Sequence, residues 1–358
     1  MAYRRAMIRY TLPLLLLLAP CVGHAQTMSH PLVIAHRGAS GERPEHTRAA
    51  YDLAIDQGAD FIEPDLVMSR DGVLIVRHEN EIGGTTDVAS RPAFADRRTT
   101  RTIDGETVTG WFTEDFTLAE LKTLRARERL FDLRPSNTAF DGQEPILTFQ
   151  EVIDIARAGS VRVGRTIGIA PELKHPSYFI ARGLPMEPPF LEALVANALM
   201  EATSPIIVQC FEIDTLKSLD QSTDAPLLQL MASSSGPADH PGLAYAAMVT
   251  PAGLADIAAY ADFIGVETTL IEPRDSVGSA LEPTGLIPDA HAAGLKVVGW
   301  TFRAENLFLP TGDRRGDPRD PRYIALPGDL TAQVKRFEAY GIDAVFSDFP
   351  AIAVAARR

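Results

Sequence analysis

The sequence is short of cysteine: Cys21 and Cys210 are the only two in 358 residues. Two thiols exclude a disulfide framework, and a chain of this length buries enough apolar surface to fold without covalent staples. Basic residues are also in deficit, with 34 Lys and Arg against 47 Asp and Glu and a formal net charge of −13. That balance excludes a broad cationic surface for nucleic acid or anionic lipid. An anionic substrate therefore needs local compensation, from a metal or from a few basic side chains.

A long apolar run is missing where the composition first changes. Arg4, Arg5 and Arg9 precede Leu12–Ala19, an apolar stretch broken by Pro13. It is too short for a membrane-spanning helix, which needs about 20 apolar residues. With Gly23-His24-Ala25 as a small-x-small cleavage site, residues 1–25 read as a signal peptide, and 26–358 as the mature, exported chain, periplasmic or secreted. Tyr3-Arg4-Arg5-Ala6-Met7-Ile8-Arg9 resembles a twin-arginine export motif. Pro20 before Cys21 argues against lipid anchoring, so no stable membrane anchor is expected. Cys210 follows the apolar run Ile206–Val208 and reads as a buried structural thiol.

What is present is an alternation of short Val/Ile/Leu/Phe runs with stretches of helical period. The runs are Leu32–Ala35, Phe61–Val67, Leu74–Arg77, Ile167–Leu173, Ile206–Phe211, Leu227–Met231, Phe263–Val266, Lys296–Phe302 and Ala344–Ser347. Helices are expected over His46–Gln57, Glu187–Ala202, Asp214–Leu219, Leu254–Tyr260, Ile287–Ala293 and Thr331–Tyr340. The pattern predicts an α/β fold, specifically a TIM (β/α)8 barrel. Nine strands is one too many for eight staves. The Asp71-Gly72 turn is too short for a crossover helix, so Leu74–Arg77 is expected to return as a hairpin partner. The charged stretch 81–149 reads as an inserted small subdomain after the second or third strand, and 306–325 as an exposed loop.

Barrel active sites gather where strands end, and reactive residues stand there repeatedly. His36 and Arg37 follow the first run, Glu63 and Asp65 lie in the second, His78 and Glu79 end the third, and Glu172 and Lys174 close the fourth. Glu63 and Asp65, two apart in a strand, face the same way. Such a pair repels unless neutralised. A divalent cation on oxygen ligands, with Glu172 as a third, does this; buried ion pairs with Arg37 and Lys174 are the alternative. His36 and His78 suit proton transfer near neutral pH, with zinc ligation the rival reading. Three acids favour calcium, or magnesium, over zinc. Arg37 and Lys174 supply the positive charge for phosphate that the chain elsewhere lacks. Phe211 and Trp300 are candidates for packing against a ligand, or plain packing. Glu45 is expected to support His36 or the metal acids, or to cap the helix near His46.

Val33-Ile34-Ala35-His36-Arg37-Gly38-Ala39-Ser40-Gly41 and Pro44-Glu45-His46-Thr47 resemble the opening signature of the glycerophosphodiester phosphodiesterase family. The similarity continues through Glu63-Pro64-Asp65, Arg77-His78, Pro171-Glu172-Leu173-Lys174, Gln209-Cys210-Phe211, Trp300-Thr301-Phe302 and Ser347-Asp348-Phe349-Pro350. The export signal and the insertion are most similar to its periplasmic branch. The resemblance implies a TIM barrel and a divalent ion, often calcium. It further implies cleavage of small glycerophosphodiesters to sn-glycerol 3-phosphate and an alcohol. It assigns Glu63, Asp65 and Glu172 to metal, His36 and His78 to acid and base, and Arg37 and Lys174 to phosphate. A related lysophospholipase D activity, or ligand capture without cleavage, are the competing readings.

Overall fold

The computed structural model describes residues 30–357, so the expected signal peptide lies outside the described residues. The strands run β1 (Leu32–His36), β2 (Phe61–Glu63), β3 (Asp65–Met68), β4 (Leu74–Val76), β5 (Thr99–Ile103), β6 (Glu106–Gly110) and β7 (Gly168–Ile169). They continue as β8 (Glu172–Leu173), β9 (Val208–Cys210), β10 (Leu227–Met231), β11 (Phe263–Glu267), β12 (Lys296–Phe302) and β13 (Ala344–Ser347). Parallel pairing proceeds from β1 through β2 to β7, from β3 through β8 to β12, and back through β13 to β1. This closes eight staves, because the second stave is β2 plus β3 and the third is β7 plus β8. The expected barrel is present.

Both divided staves break at a proline, Pro64 in one and Pro171 in the other. Proline has no N–H to give the ladder, but its carbonyl still accepts. Glu172 N donates to Pro64 O and Gln209 N to Pro171 O, each at 2.9 Å. The sheet therefore continues across the breaks, and Asp65, Glu172 and Gln209 stand in register on three adjacent staves. As expected from Asp71-Gly72, β4 pairs antiparallel with β3, and Gly72 takes the left-handed φ of 79° that the turn requires.

Side chains alternate across each stave. One set, including Val33, Ala35, Ile62 and Val345, packs outward against the helices; the other fills the barrel interior with Ile34, Ala170, Ile207, Leu228, Phe263, Val298, Ala344 and Phe346. Each buried aliphatic or aromatic side chain contributes about 1.5–3 kcal/mol. One step further along the inward rows come His36, Glu172, Gln209, Leu230, Trp300 and Asp348. The apolar floor thus ends where the polar mouth begins.

Helix boundaries move for local reasons. The helix expected from His46 starts at Arg48, because His46 is left-handed at φ 59° and Thr47 caps the helix by accepting from Ala50 N. The stretch expected to be helical from Glu187 to Ala202 stops at Ala196. The 15-residue helix Phe149–Val163 was not expected, although Thr148 and Glu151 form a reciprocal capping box and Gly164 closes it at φ 70°. Within 81–149, β5 and β6 form a hairpin, and Val88, Phe116, Leu121 and Leu124 join the outer core instead of building a second one. In the 306–325 loop, residues 316–319 are exposed, but Asn306 is buried and ties the loop to Arg315 and Tyr323.

Candidate active site

The C-terminal mouth of the barrel holds a cavity of about 380 Å3. Its lining includes His36, Arg37, Glu63, His78, Glu172, Lys174, Phe211 and Trp300, which the sequence placed at strand ends. Glu79, Arg129, Gln209 and Arg303 line it as well. Asp65 lies directly beneath, 1% exposed.

Glu63, Asp65 and Glu172 each bring a carboxylate oxygen to within 4.8 Å of the others. Burial and the neighbouring Asp65 push Glu63 well above the usual carboxylate range. Burial likewise pushes Glu172 up to about 8, against the pull of Lys174 Nζ, 3.0 Å away. Burial alone would raise Asp65 too, but Arg37 and His46 lie against it and hold it low. His46 Nε2 is 2.8 Å from Asp65 Oδ2. A carboxylate only accepts, so Nε2 carries the proton, while Nδ1 lies 2.8 Å from the Tyr51 hydroxyl, which donates to Glu63 O at 3.2 Å.

That leaves Asp65 Oδ1 buried with no hydrogen-bond partner among the described residues. An orphaned buried carboxylate oxygen is costly. Facing two further acids, it makes an all-oxygen donor set that fits a hard divalent cation. Ion pairing with Arg37 and Lys174, the alternative raised by the sequence, is also present, but at the edges of the cluster: Arg37 Nε approaches Asp65 Oδ2 at 3.2 Å and Lys174 reaches only Glu172.

Arg37 adopts φ 60°, which turns its backbone N–H onto Glu63 Oε2 at 2.7 Å. Glu45 differs from its expected role. It touches neither His36 nor the acid cluster, and the helix cap is Thr47; instead it accepts from Arg37 Nη1 at 3.1 Å and from Arg129 Nε at 3.0 Å. It therefore fixes the guanidinium.

His36 Nδ1 donates to Asp348 Oδ1 at 2.6 Å, which sets the tautomer and leaves Nε2 with a free lone pair. Asp348 is gripped in turn by Arg134 Nη2 at 2.5 Å and Arg303 Nε at 3.0 Å. Burial, with Arg37 nearby, lowers His36 to about 4. His78 is also held well below the usual imidazole range, by burial and by Arg37 and Lys174. Its Nδ1 lies 3.1 Å from Glu79 Oε1. Phe211 and Trp300 meet edge to face at 5.8 Å in the cavity lining, with Lys174 Nζ 5.7 Å over the Phe211 ring, and the Trp300 indole N–H donates to Gly265 O. Their exposed faces are apolar. Cys210 is buried behind Phe211, its thiol donating to Leu173 O at 3.3 Å, as expected of a structural thiol.

Four participants were not assigned from the sequence: His46, Arg134, Arg303 and the His175 that contacts Glu79. His46 sits in the quoted Pro44–Thr47 motif, so a signal existed. Asp348 sits in the quoted Ser347–Pro350 motif at the end of the last strand run, where an acid can serve the structure or support the site. Arg134 comes from the insertion, with nothing in its neighbourhood to mark it.

The sequence profile described as the glycerophosphoryl diester phosphodiesterase family matches residues 36–352. A glycerophosphodiester phosphodiesterase of Arabidopsis thaliana is 39% identical over 293 residues, covering 78% of this chain and 77% of the relative. One from Haemophilus influenzae is 28% identical, covering 93% of each. Among solved structures, an Oleispira antarctica phosphodiesterase in complex with the product sn-glycerol-3-phosphate shares the fold at TM-score 0.59 and 21% identity, over 91% of this chain and 96% of that one. A glycerophosphodiester phosphodiesterase from Agrobacterium tumefaciens does so at TM-score 0.53 and 18% identity, over 91% and 99%. Extended over nearly all the described residues, the match shows that this chain is an enzyme of the glycerophosphoryl diester phosphodiesterase family.

Proposed function

We propose that the cavity hydrolyses small glycerophosphodiesters to sn-glycerol 3-phosphate and an alcohol, with a divalent cation on Glu63, Asp65 and Glu172 and with His36 and His78 moving the protons. The observation that carries this reading is the orphaned Asp65 Oδ1 facing two more acids, between two histidines whose outer nitrogens already have carboxylate neighbours. Calcium suits three carboxylates and an adaptable shell, with magnesium the alternative. When bound, the cation supplies positive charge against the phosphoryl oxygens.

The protein's own groups supply the rest. Arg37 and Lys174 line the cavity beside the acids and face the anionic substrate, and Phe211 and Trp300 pack against its carbon atoms. His36 takes a proton at Nε2 from the attacking oxygen, and the imidazolium that forms is stabilised by Asp348 at Nδ1. His78 delivers a proton to the departing alkoxide, with Glu79 beside Nδ1 to stabilise its charged form. Both histidines are neutral before substrate enters, because burial and nearby cations disfavour their charge. The incoming phosphodiester offsets the Arg37 and Lys174 charges that hold His78 down, so that His78 takes up a proton from solvent and then delivers it, while His36 stays neutral to accept.

The export signal read in residues 1–25 completes the proposal: the enzyme acts in the periplasm or outside the cell. N-terminal sequencing of the secreted chain is expected to start at Gln26. The chemistry is tested by following glycerol 3-phosphate release from glycerophosphocholine, with and without chelator, for wild type and His78→Ala. Loss on chelation, recovery with calcium and loss in the variant are expected. Activity indifferent to both would sink the mechanism, and tight binding without turnover under any metal would make the protein a capture device.

A further inference from the structure

We propose that the tip of the β5–β6 hairpin positions His78 for proton transfer, through a clamp running from Asp104 to His175 to Glu79. The inference rests on the reading of His78 as a proton-transfer group. Asp104 and Gly105 form the two-residue turn between Ile103 and Glu106, at φ 49° and φ 86°. Two left-handed residues in succession make the tight turn that matches strand twist. The turn projects Asp104 towards the barrel mouth, where its Oδ2 lies 2.5 Å from His175 Nδ1. The other ring nitrogen of His175, Nε2, lies 2.9 Å from Glu79 Oε2, and Glu79 Oε1 faces His78 Nδ1 at 3.1 Å. Four side chains thus connect the insertion to the cavity without a gap.

The chemistry of the chain fixes its protons. Carboxylates accept and do not donate, so an imidazole between two of them keeps an N–H on both nitrogens. Burial opposes that charge, but the hydrogen bonds to Asp104 and Glu79 outweigh it and raise His175 to about 9. His175 is therefore a fixed cation that donates in both directions. Its own backbone is left-handed at φ 49° and ψ 47°, a region histidine adopts more readily than most residues. Glu79, 44% exposed at its side chain, would otherwise be free to swing into solvent. Pinning one carboxylate oxygen removes that freedom and aims the other at His78.

The hairpin is anchored well enough to bear on the site. Arg101 on β5 reaches Asp115 at 2.5 Å and lies over the Phe112 ring at 5.1 Å, while Tyr178, three residues after His175, donates to Glu114. Asp104, His175 and Glu79 are positioning residues: they act on the reaction through His78.

The test uses Asp104→Asn in the full chain, since asparagine tolerates the left-handed turn while losing the charge. With glycerophosphocholine, whose alkoxide leaving group needs a proton, kcat is expected to fall roughly tenfold, with KM within about twofold and a melting temperature lowered by no more than about 3 °C. With the glycerol phosphodiester of p-nitrophenol, whose leaving group departs without a proton, the loss is expected to disappear. Glu79→Gln is expected to give the same pattern, and the double variant no more than the larger single loss. Equal losses on both substrates, a change confined to KM, or no change would overturn the clamp. His78→Ala separates the two readings: an active His78→Ala sinks the role of His78, whereas an essential His78 with an indifferent Asp104→Asn sinks the clamp alone.

Discussion

His36 and His78 flank one cavity, but the first is braced by a carboxylate 3% exposed between two arginines, and the second by a glutamate 44% exposed at the rim. Asp348 comes from the end of the last stave and is gripped by the insertion through Arg134, which also donates to Glu305 at 2.6 Å. Glu79 follows the hairpin strand β4 and is gripped by His175 and the insertion's tip. The same 81–149 segment thus supports both histidines, once from within the protein and once from its surface. The difference teaches where stability and positioning are separable. A buried brace is part of the fold, whereas a rim brace acts on a side chain that the fold tolerates in several places.

The largest expected effect falls on the histidines themselves and ignores their braces. His36→Ala and His78→Ala are each expected to lower kcat by about 10^3-fold, within the range for a proton-transfer group. Steady-state kinetics with glycerophosphocholine checks this; a hundredfold difference between the two would show that only one moves a proton in the slow step.

The braces then separate the two regions. Asp348→Asn leaves Arg134 and Arg303 facing each other without their carboxylate, and breaking a buried pair in this way costs about 3–5 kcal/mol. Urea unfolding is expected to show that loss, together with a roughly hundredfold fall in kcat as the His36 tautomer loses its anchor. Glu79→Gln is expected to change unfolding by less than about 1 kcal/mol, the scale of an exposed ion pair. If both variants unfold alike, the contrast between a folding brace and a positioning brace fails.

This contrast also explains what the sequence reveals. Glu63, Asp65, Glu172, His36 and His78 are legible because a strand's alternation and its end point can be read locally, and all five reach the mouth. Pro64 and Pro171 split two staves without moving the acids, since their carbonyls still accept in the ladder. Glu45 was legible as a partner but not as a partner of Arg37, because the left-handed turn at Arg37 cannot be read from residue type. Arg134 lies 214 residues from Asp348, and no period or spacing connects them. The helix Phe149–Val163 is the opposite case: its capping box is written locally, but it lies between the charged insertion 81–149 and the run at Ile167, a stretch with no expected element.

The smallest expected effect is a pH dependence confined to the rim. His175 sits among Asp104 from the hairpin, Glu79 and Lys174, and its pKa in the folded chain is raised from 6.5 to about 9. A raised histidine pKa means that its charged form is favoured by folding. The stabilisation is fully present below about 6.5 and is lost as pH rises through about 9. With Glu79 and Asp104 both partly exposed and screened, it amounts to about 1 kcal/mol. Denaturant melts of wild type and His175→Gln are expected to differ by that amount at pH 6 and to converge by about pH 10. A difference that persists at high pH would mean that His175 contributes packing without charge, and the rim brace would then resemble the buried one.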